Sequence, residues 1–174
     1  MPEIYQPAED SFLLVEFLKK EIEKSKPKTI LDMGSGSGIQ AETAINQGIN
    51  SENLTLVDIN KDAVKSLSKK FPNSKVILSN LFDNINGRFD LIVFNSPYLP
   101  FNKFDKGKDT TGGYGLIEKF LRQAKVHLSK KGEILLLTSS FTGKINFKGY
   151  NKKILGKKRI FFEELYVWKL YPED

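Results

Sequence analysis

The sequence predicts an α/β fold: a mostly parallel, seven-stranded sheet with helices on both faces and a terminal antiparallel hairpin. Three observations carry this reading. Thr29–Met33 is a short apolar stretch that runs into Gly34-Ser-Gly-Ser-Gly38 and then into a small-residue helix over 39–48, the strand, glycine loop, helix order of a ligand-binding βα unit. Apolar strands alternate with helix-periodic stretches up to residue 138, as parallel strands joined by crossovers require. Finally, 152–160 and 162–170 read as two strands turning near Phe161. No repeat or linker interrupts the 174 residues, so a single domain over 1–174 is expected.

Each element has its own reason. In Ser11–Ile22, Leu14, Leu18 and Ile22 recur every fourth residue with Val15 beside them, which predicts an amphipathic helix capped by Asp10 or Ser11. The preceding Tyr5-Gln-Pro-Ala-Glu-Asp10 is too polar for a core element. It predicts an arm that, with the helix to about residue 25, folds over a ligand. Leu54–Val57 is a second strand ending at Asp58, and 61–70 a helix with Val64, Leu67 and Phe71 on one face, stopped by Pro72. Lys75–Leu78 and Phe89–Phe94 are the third and fourth strands. A polar loop from Pro100 to Gly113 leads to a helix over about 114–129, with Ile117, Leu121, Ala124 and Leu128 at helical spacing, and Gly132–Thr138 is the fifth strand. The interval 139–150 is too short for a long helix before the terminal pair, which leaves one sheet face uncovered or to be covered by a partner.

Composition narrows the chemistry. Without cysteine and with His127 alone, the chain offers no disulfide framework and no Cys-based metal site, so no metal is expected. No apolar run approaches the roughly 20 residues of a membrane span, and the N-terminus lacks a signal region, so a cytoplasmic protein is expected. A net charge of +6 suits an acidic partner, RNA included. The lysines are spread along the chain, however, and the cluster Lys152, Lys153, Lys157, Lys158, Arg159 fits an edge hairpin that resists sheet-to-sheet pairing.

The glycine loop gains meaning from two carboxylates. Asp58 ends the second strand about 20 residues after the loop, from where it can accept hydrogen bonds from both hydroxyls of a ribose. The loop is G-S-G-S-G rather than G-x-G-x-x-G, with Asp32 two residues ahead of it. A pyrophosphate would be repelled by Asp32, whereas the ammonium of S-adenosylmethionine would pair with it. Ahead of the loop in function, though behind it in sequence, stands Asn95-Ser96-Pro97-Tyr98 at the end of the fourth strand. Asn95 Oδ1 and a carbonyl of Ser96 or Pro97 can accept the two N–H groups of a planar amide or amine, raising its electron density as a methyl arrives. Pro97 stiffens the backbone and Tyr98 offers a stacking ring.

Pro7-Ala-Glu-Asp-Ser-Phe-Leu-Leu14, Leu31-Asp-Met-Gly-Ser-Gly-Ser-Gly38, Val57-Asp58, Asn80-Leu-Phe82, Asn95-Ser-Pro-Tyr98, Gly112-Gly113 before a helix and Phe161-Phe-Glu-Glu-Leu165 together resemble the HemK family of protein glutamine methyltransferases. The likeness is to its short archaeal and eukaryotic branch and covers nearly the whole chain. It implies a Rossmann-like class I methyltransferase fold. It also implies a cofactor set of Ser11, Asp32, Gly34, Ser35, Gly36, Gly38, Asp58, Ile59, Asn80, Leu81 and Asn95, and a catalytic set of Asn95, Ser96, Pro97 and Tyr98. The implied acceptor is the glutamine of a Gly-Gly-Gln loop in a class-1 translation termination factor. The implied partner is a small zinc-binding activator subunit that forms a heterodimer at the third-strand edge. Ser96 stands where the family has proline, and Asn80 where it has aspartate. Two other readings remain open at this stage: an exocyclic-amine methyltransferase acting on RNA or DNA after base flipping, and a non-catalytic module that retains the fold.

Overall fold

The computed structural model of the chain describes residues 4–97 and 112–173. Seven strands form one sheet in the order β3-β2-β1-β4-β5-β7-β6, where β1 is Ile30–Met33, β2 Leu54–Asp58, β3 Lys75–Leu78, β4 Phe89–Asn95, β5 Leu128–Ser139, β6 Tyr150–Ile160 and β7 Glu163–Pro172. The first five run parallel, and β7 pairs antiparallel with both β5 and β6. The expected fold class is therefore the observed one.

The central strands are buried on both faces, as their unbroken apolar runs require. One face packs Ile30, Leu56, Leu91, Val93 and Leu135 against α1 (Glu9–Ser25), α2 (Ile39–Asn46) and α3 (Lys61–Lys70). On the other, Leu31, Met33, Ile92, Phe94 and Leu136 meet Ile117, Phe120 and Leu121 of α4 (Gly112–Ala124). Each large side chain sealed in these layers stabilises the fold by about 1.5–3 kcal/mol relative to exposure.

Four boundaries differ from expectation, each for a physical reason. Helix α1 begins at Glu9, with Ala8 as its N-cap residue and no side-chain cap, so Asp10 and Ser11 lie inside the first turn instead of capping it. Gly112 and Gly113, assigned to the polar loop, already belong to α4. That helix stops at Ala124 and passes through a 3-10 turn, Lys125–His127, into β5 at Leu128 rather than continuing to residue 129. The early start of β5 is held by Ser129 Oγ, which donates to Asp90 at 2.7 Å, and by a register shift opposite Phe89 and Leu91. His127 stacks on Phe82 at 4.7 Å, a packing role.

Between β5 and β6 only a three-residue 3-10 turn, Ser140–Thr142, is helical, in keeping with the short interval. Phe147 and Tyr150 fill part of that face: Phe147 lies against Trp168 at 4.9 Å and Tyr150 donates to the Leu121 carbonyl at 2.8 Å. A hollow of about 530 Å³ remains beside them, lined by Lys144, Lys148 and Lys152 among others. It is larger than the cavity at the strand ends described below, but no carboxylate pair and no glycine loop faces it. Among the described residues, no helix is long and apolar enough to cross a membrane.

Candidate active site

Strand order reverses between β1 and β4, which opens a crevice at their carboxyl ends. The predicted cofactor and acceptor residues converge there. After β1 the chain turns through Gly34, Gly36 and Gly38, all with positive φ. The loop is pinned to β2 by Ser35, whose N–H donates to the Val57 carbonyl at 2.9 Å and whose hydroxyl accepts from Val57 N–H and donates to the Asp32 carbonyl. Ser35 is thus a strut between strands. Gly38 is required by packing: a Cβ there would lie 2.5 Å from the Phe71 ring and 2.8 Å from Leu67.

Asp58 caps the loop from the end of β2. Its Oδ2 accepts from Gly36 N–H and its Oδ1 from Asn60 N–H, both at 2.8 Å. These bonds fix the carboxylate and leave each oxygen a second lone pair, which suits a diol. Asp32 is different. It is buried, and its Oδ2 has no hydrogen-bond partner. Burial, reinforced by the Asp58 charge and only partly opposed by the Ser35 hydroxyl and a backbone N–H, pushes its carboxyl up to about 7. A cation brought to this oxygen would relieve that penalty.

Beside these groups lies a cavity of about 150 Å³ lined by Gly34, Val57, Asp58, Ile59, Asn80, Leu81, Phe94 and Pro97 among others. Leu81 adopts a left-handed conformation, φ 51, unusual for a bulky residue and consistent with a backbone held for a ligand. Ile59 is exposed at the cavity lip. An apolar slot, a fixed carboxylate and an unpaired buried carboxylate oxygen fit the adenine, ribose and amino-acid parts of S-adenosylmethionine in turn. Asp32 would hold the ammonium, Asp58 the ribose, and Asn80 and Leu81 would border the base.

The acceptor side is built around Asn95. Its Nδ2 donates to Asp10 Oδ2 at 3.1 Å and to Ser11 Oγ at 3.4 Å. A carboxylate can only accept, so the amide orientation is fixed. Its Oδ1 is buried and has no partner. Asp10 is itself held by Tyr5 Oη, which donates to both carboxylate oxygens at 2.9 Å, and by the Ser11 N–H at 2.6 Å. The Ser96 hydroxyl donates to the Leu137 carbonyl at 2.6 Å, tying the end of β4 to β5. That bond restrains the backbone at the position where the resemblance expects a proline. Tyr98 lies outside the described residues, as do positions 100–111 of the polar segment expected before α4.

Of the residues expected from the sequence, Gly34, Asp58, Ile59, Asn80, Leu81 and Pro97 line this cavity, Gly36 is bonded to Asp58, Ser11 is bonded to Asn95, and Asp32 is buried at the end of β1. Sequence reasoning missed Asp10 and Tyr5 as groups that orient Asn95. It also missed Gln40, whose Nε2 donates to the Ser11 carbonyl at 3.1 Å while its Oε1 is buried without a partner. The signal available was the arm itself, which runs into two polar residues, Asp10 and Ser11, that are buried in the first turn of α1. The arm also reaches the glycine loop: a Cβ on Gly36 would stand 3.6 Å from the Tyr5 carbonyl oxygen.

A carboxylate fixed at the end of β2, a buried carboxyl with an unpaired oxygen and an oriented amide, at the switch point of this sheet, fit the class I S-adenosylmethionine-dependent methyltransferases. The chain belongs to the methyltransferase small domain family, whose model matches residues 9–160. It is 34% identical to a Methanocaldococcus jannaschii protein provisionally named a protein N5-glutamine methyltransferase, over 97% of this chain and 93% of that one. A solved chain from the E. cuniculi Mtq2–Trm112 complex, responsible for methylation of the eRF1 translation termination factor, superposes with a TM-score of 0.73 at 25% identity, covering 97% of this chain and 98% of that one. The Haemophilus influenzae ribosomal RNA small subunit methyltransferase C is 32% identical over 130 residues, which is 72% of this chain and 37% of that protein. The resemblance to protein glutamine methyltransferases is thereby borne out, and membership of this methyltransferase family implies S-adenosylmethionine as the cofactor.

Proposed function

We propose that this chain is a cytoplasmic enzyme of the HemK type that methylates the side-chain amide nitrogen of the glutamine in the Gly-Gly-Gln loop of a class-1 translation termination factor. The single observation that carries the proposal is Asn95, turned by Asp10 and Ser11 so that Oδ1 is buried and unpaired at the cofactor crevice. That oxygen accepts one N–H of the acceptor amide, and a carbonyl of Ser96 or Pro97 accepts the other. Both contacts strengthen as positive charge develops on the nitrogen, so they act on the transition state. When bound, S-adenosylmethionine supplies an electrophilic methyl carbon on a sulfonium. The proton displaced from nitrogen becomes acidic once the new N–C bond forms and passes to water, so no side chain of strong basicity is required. The main work of the residues is alignment at near-attack distance.

The M. jannaschii relative and the E. cuniculi neighbour support the glutamine reading, the latter with its termination-factor substrate. The same neighbour supports a small activator partner, here taken as a zinc-binding subunit that adds its sheet to β3. That strand is the open edge beside β2, with Leu78 exposed and Val76 and Ile77 half-buried. The likeness to the ribosomal RNA methyltransferase favours a second reading, exocyclic-amine methylation of RNA. Incubating the purified chain with labelled cofactor and either a class-1 termination factor, its Gln→Ala variant or ribosomal RNA separates the two. Label on the factor alone, lost in Gln→Ala and in enzyme Asn95→Ala, is the expected result. Labelled RNA beside unlabelled factor would overturn the first reading.

A further inference from the structure

The β6–β7 turn is two residues long, Phe161 and Phe162 between the paired Ile160 and Glu163. Such hairpin turns with positive φ at the first central position favour glycine or asparagine. Here that position is Phe161, at φ 50 and 88% exposed, and Phe162 is 95% exposed. Turn chemistry does not call for these rings and the core does not hold them.

Their location follows from register. Asn95 pairs with Leu137 and Ser139 with Leu165, so the hairpin runs on past the last paired residue of β5 by about 10 Å, at 3.3 Å per residue. The tip therefore overhangs the carboxyl edge from which the Asn95 segment emerges. Contacts tie it to the acceptor side: Lys158 Nζ meets Glu9 at 2.6 Å, and Glu164 N–H donates to Ser140 Oγ at 3.1 Å. Glu163 also acts electrostatically on the Tyr5 phenol. Exposed Phe12, one turn after Glu9 in α1, and exposed Phe141, next to Ser140, flank the same edge.

We infer that Phe161 and Phe162, with Phe12 and Phe141, form an aromatic rim on which an apolar surface of the acceptor protein docks while its glutamine enters the site. Apolar rings left in water next to a reaction site are an interface signature, and aromatic residues are enriched at interface centres. The occupant is a polypeptide because Lys158 joins the hairpin to Glu9, the neighbour of the Asp10 that orients Asn95, and the proposed acceptor at Asn95 is a protein; the inference rests on that reading. The rim lies beyond the crevice, so it acts on binding of the whole acceptor rather than on the chemical step.

The test is the Phe161→Gly/Phe162→Ser enzyme with purified class-1 termination factor. The KM for the factor should rise about ten- to hundredfold, the factor expected for losing the burial of one Phe side chain or more. The kcat and the cofactor Kd should stay as in the wild type, the melting temperature should not fall because glycine suits the positive φ of residue 161, and Phe161→Leu/Phe162→Leu should recover most of the affinity. A KM unchanged in the double variant overturns the docking surface while leaving the glutamine reading intact. Binding of the wild type to phosphatidylcholine–phosphatidylglycerol vesicles that the double variant loses, with KM unchanged, would overturn it in favour of a membrane. A wild type that labels RNA and never the factor would sink the functional reading, and the protein dock with it.

Discussion

Asp32 is expected to couple protonation, stability and cofactor binding, and Asp32→Asn tests all three. An ordinary aspartate titrates near 3.8, and burial pushes this one up to about 7. At 1.36 kcal/mol per pH unit the ionised form is penalised in the folded apoprotein by roughly 4 kcal/mol, an upper figure because relaxation and water entry reduce it. The native state binds more protons than the unfolded chain between those two values. Stability of the apoprotein therefore falls as pH rises from about 4 to 7 and levels off above. Asn carries no charge to penalise, so at pH 7.5 Asp32→Asn should raise the apoprotein melting temperature by about 5–10 °C and flatten its pH dependence. The same change should weaken S-adenosylmethionine binding by tenfold or more, because it removes the carboxylate proposed to pair with the ammonium. At pH 6 the wild-type carboxyl is mostly protonated, so cofactor binding should release close to one proton. Calorimetry at pH 6 in two buffers of different ionisation enthalpy reads that proton directly. Binding without proton release, together with an unchanged melting temperature in Asp32→Asn, would refute the argument.

Other residues give sharper local outcomes. Asp10→Ala frees the Asn95 amide to rotate and should lower kcat by about ten- to hundredfold with the cofactor Kd unchanged by calorimetry; Asp10→Asn should recover part of the loss. Gly38→Ala drives a methyl to within 2.5 Å of Phe71 at φ 80, so chemical denaturation should report a loss of about 1–3 kcal/mol or more. Ser96→Ala removes the bond to the Leu137 carbonyl and should cost about 0.5–1.5 kcal/mol. Ser96→Pro should be tolerated in activity assays, since the ring restores the backbone restriction that the hydroxyl bond supplies.

Strands and glycine loops were legible because period, β-branched content and turn residues are local properties. So was the cofactor half of the site, since Asp32, the loop and Asp58 are spaced along one strand–loop–helix–strand unit. The acceptor half was legible only at Asn95. Asp10 read as a helix cap because a capping aspartate and an orienting aspartate look identical in sequence. Only the fold, by bringing residues 85 positions apart to 3.1 Å, separates the two roles. The α4 boundary failed differently. Leu128 continues the spacing of Ile117, Leu121 and Ala124, yet pairing with Phe89 claims it for β5. Tertiary pairing outbid local periodicity, as it does wherever an apolar residue satisfies both patterns.

The direction of β7 has a practical reach. Antiparallel to β5, it carries the chain away from the crevice, so Leu170 pairs with Ile134 and Pro172 finishes at the far edge of the sheet. Tyr5, by contrast, lies against the glycine loop and grips Asp10. A fluorophore attached at exposed Tyr171 would therefore report from the opposite edge of the sheet, whereas one attached at exposed Tyr5 would sit against the glycine loop.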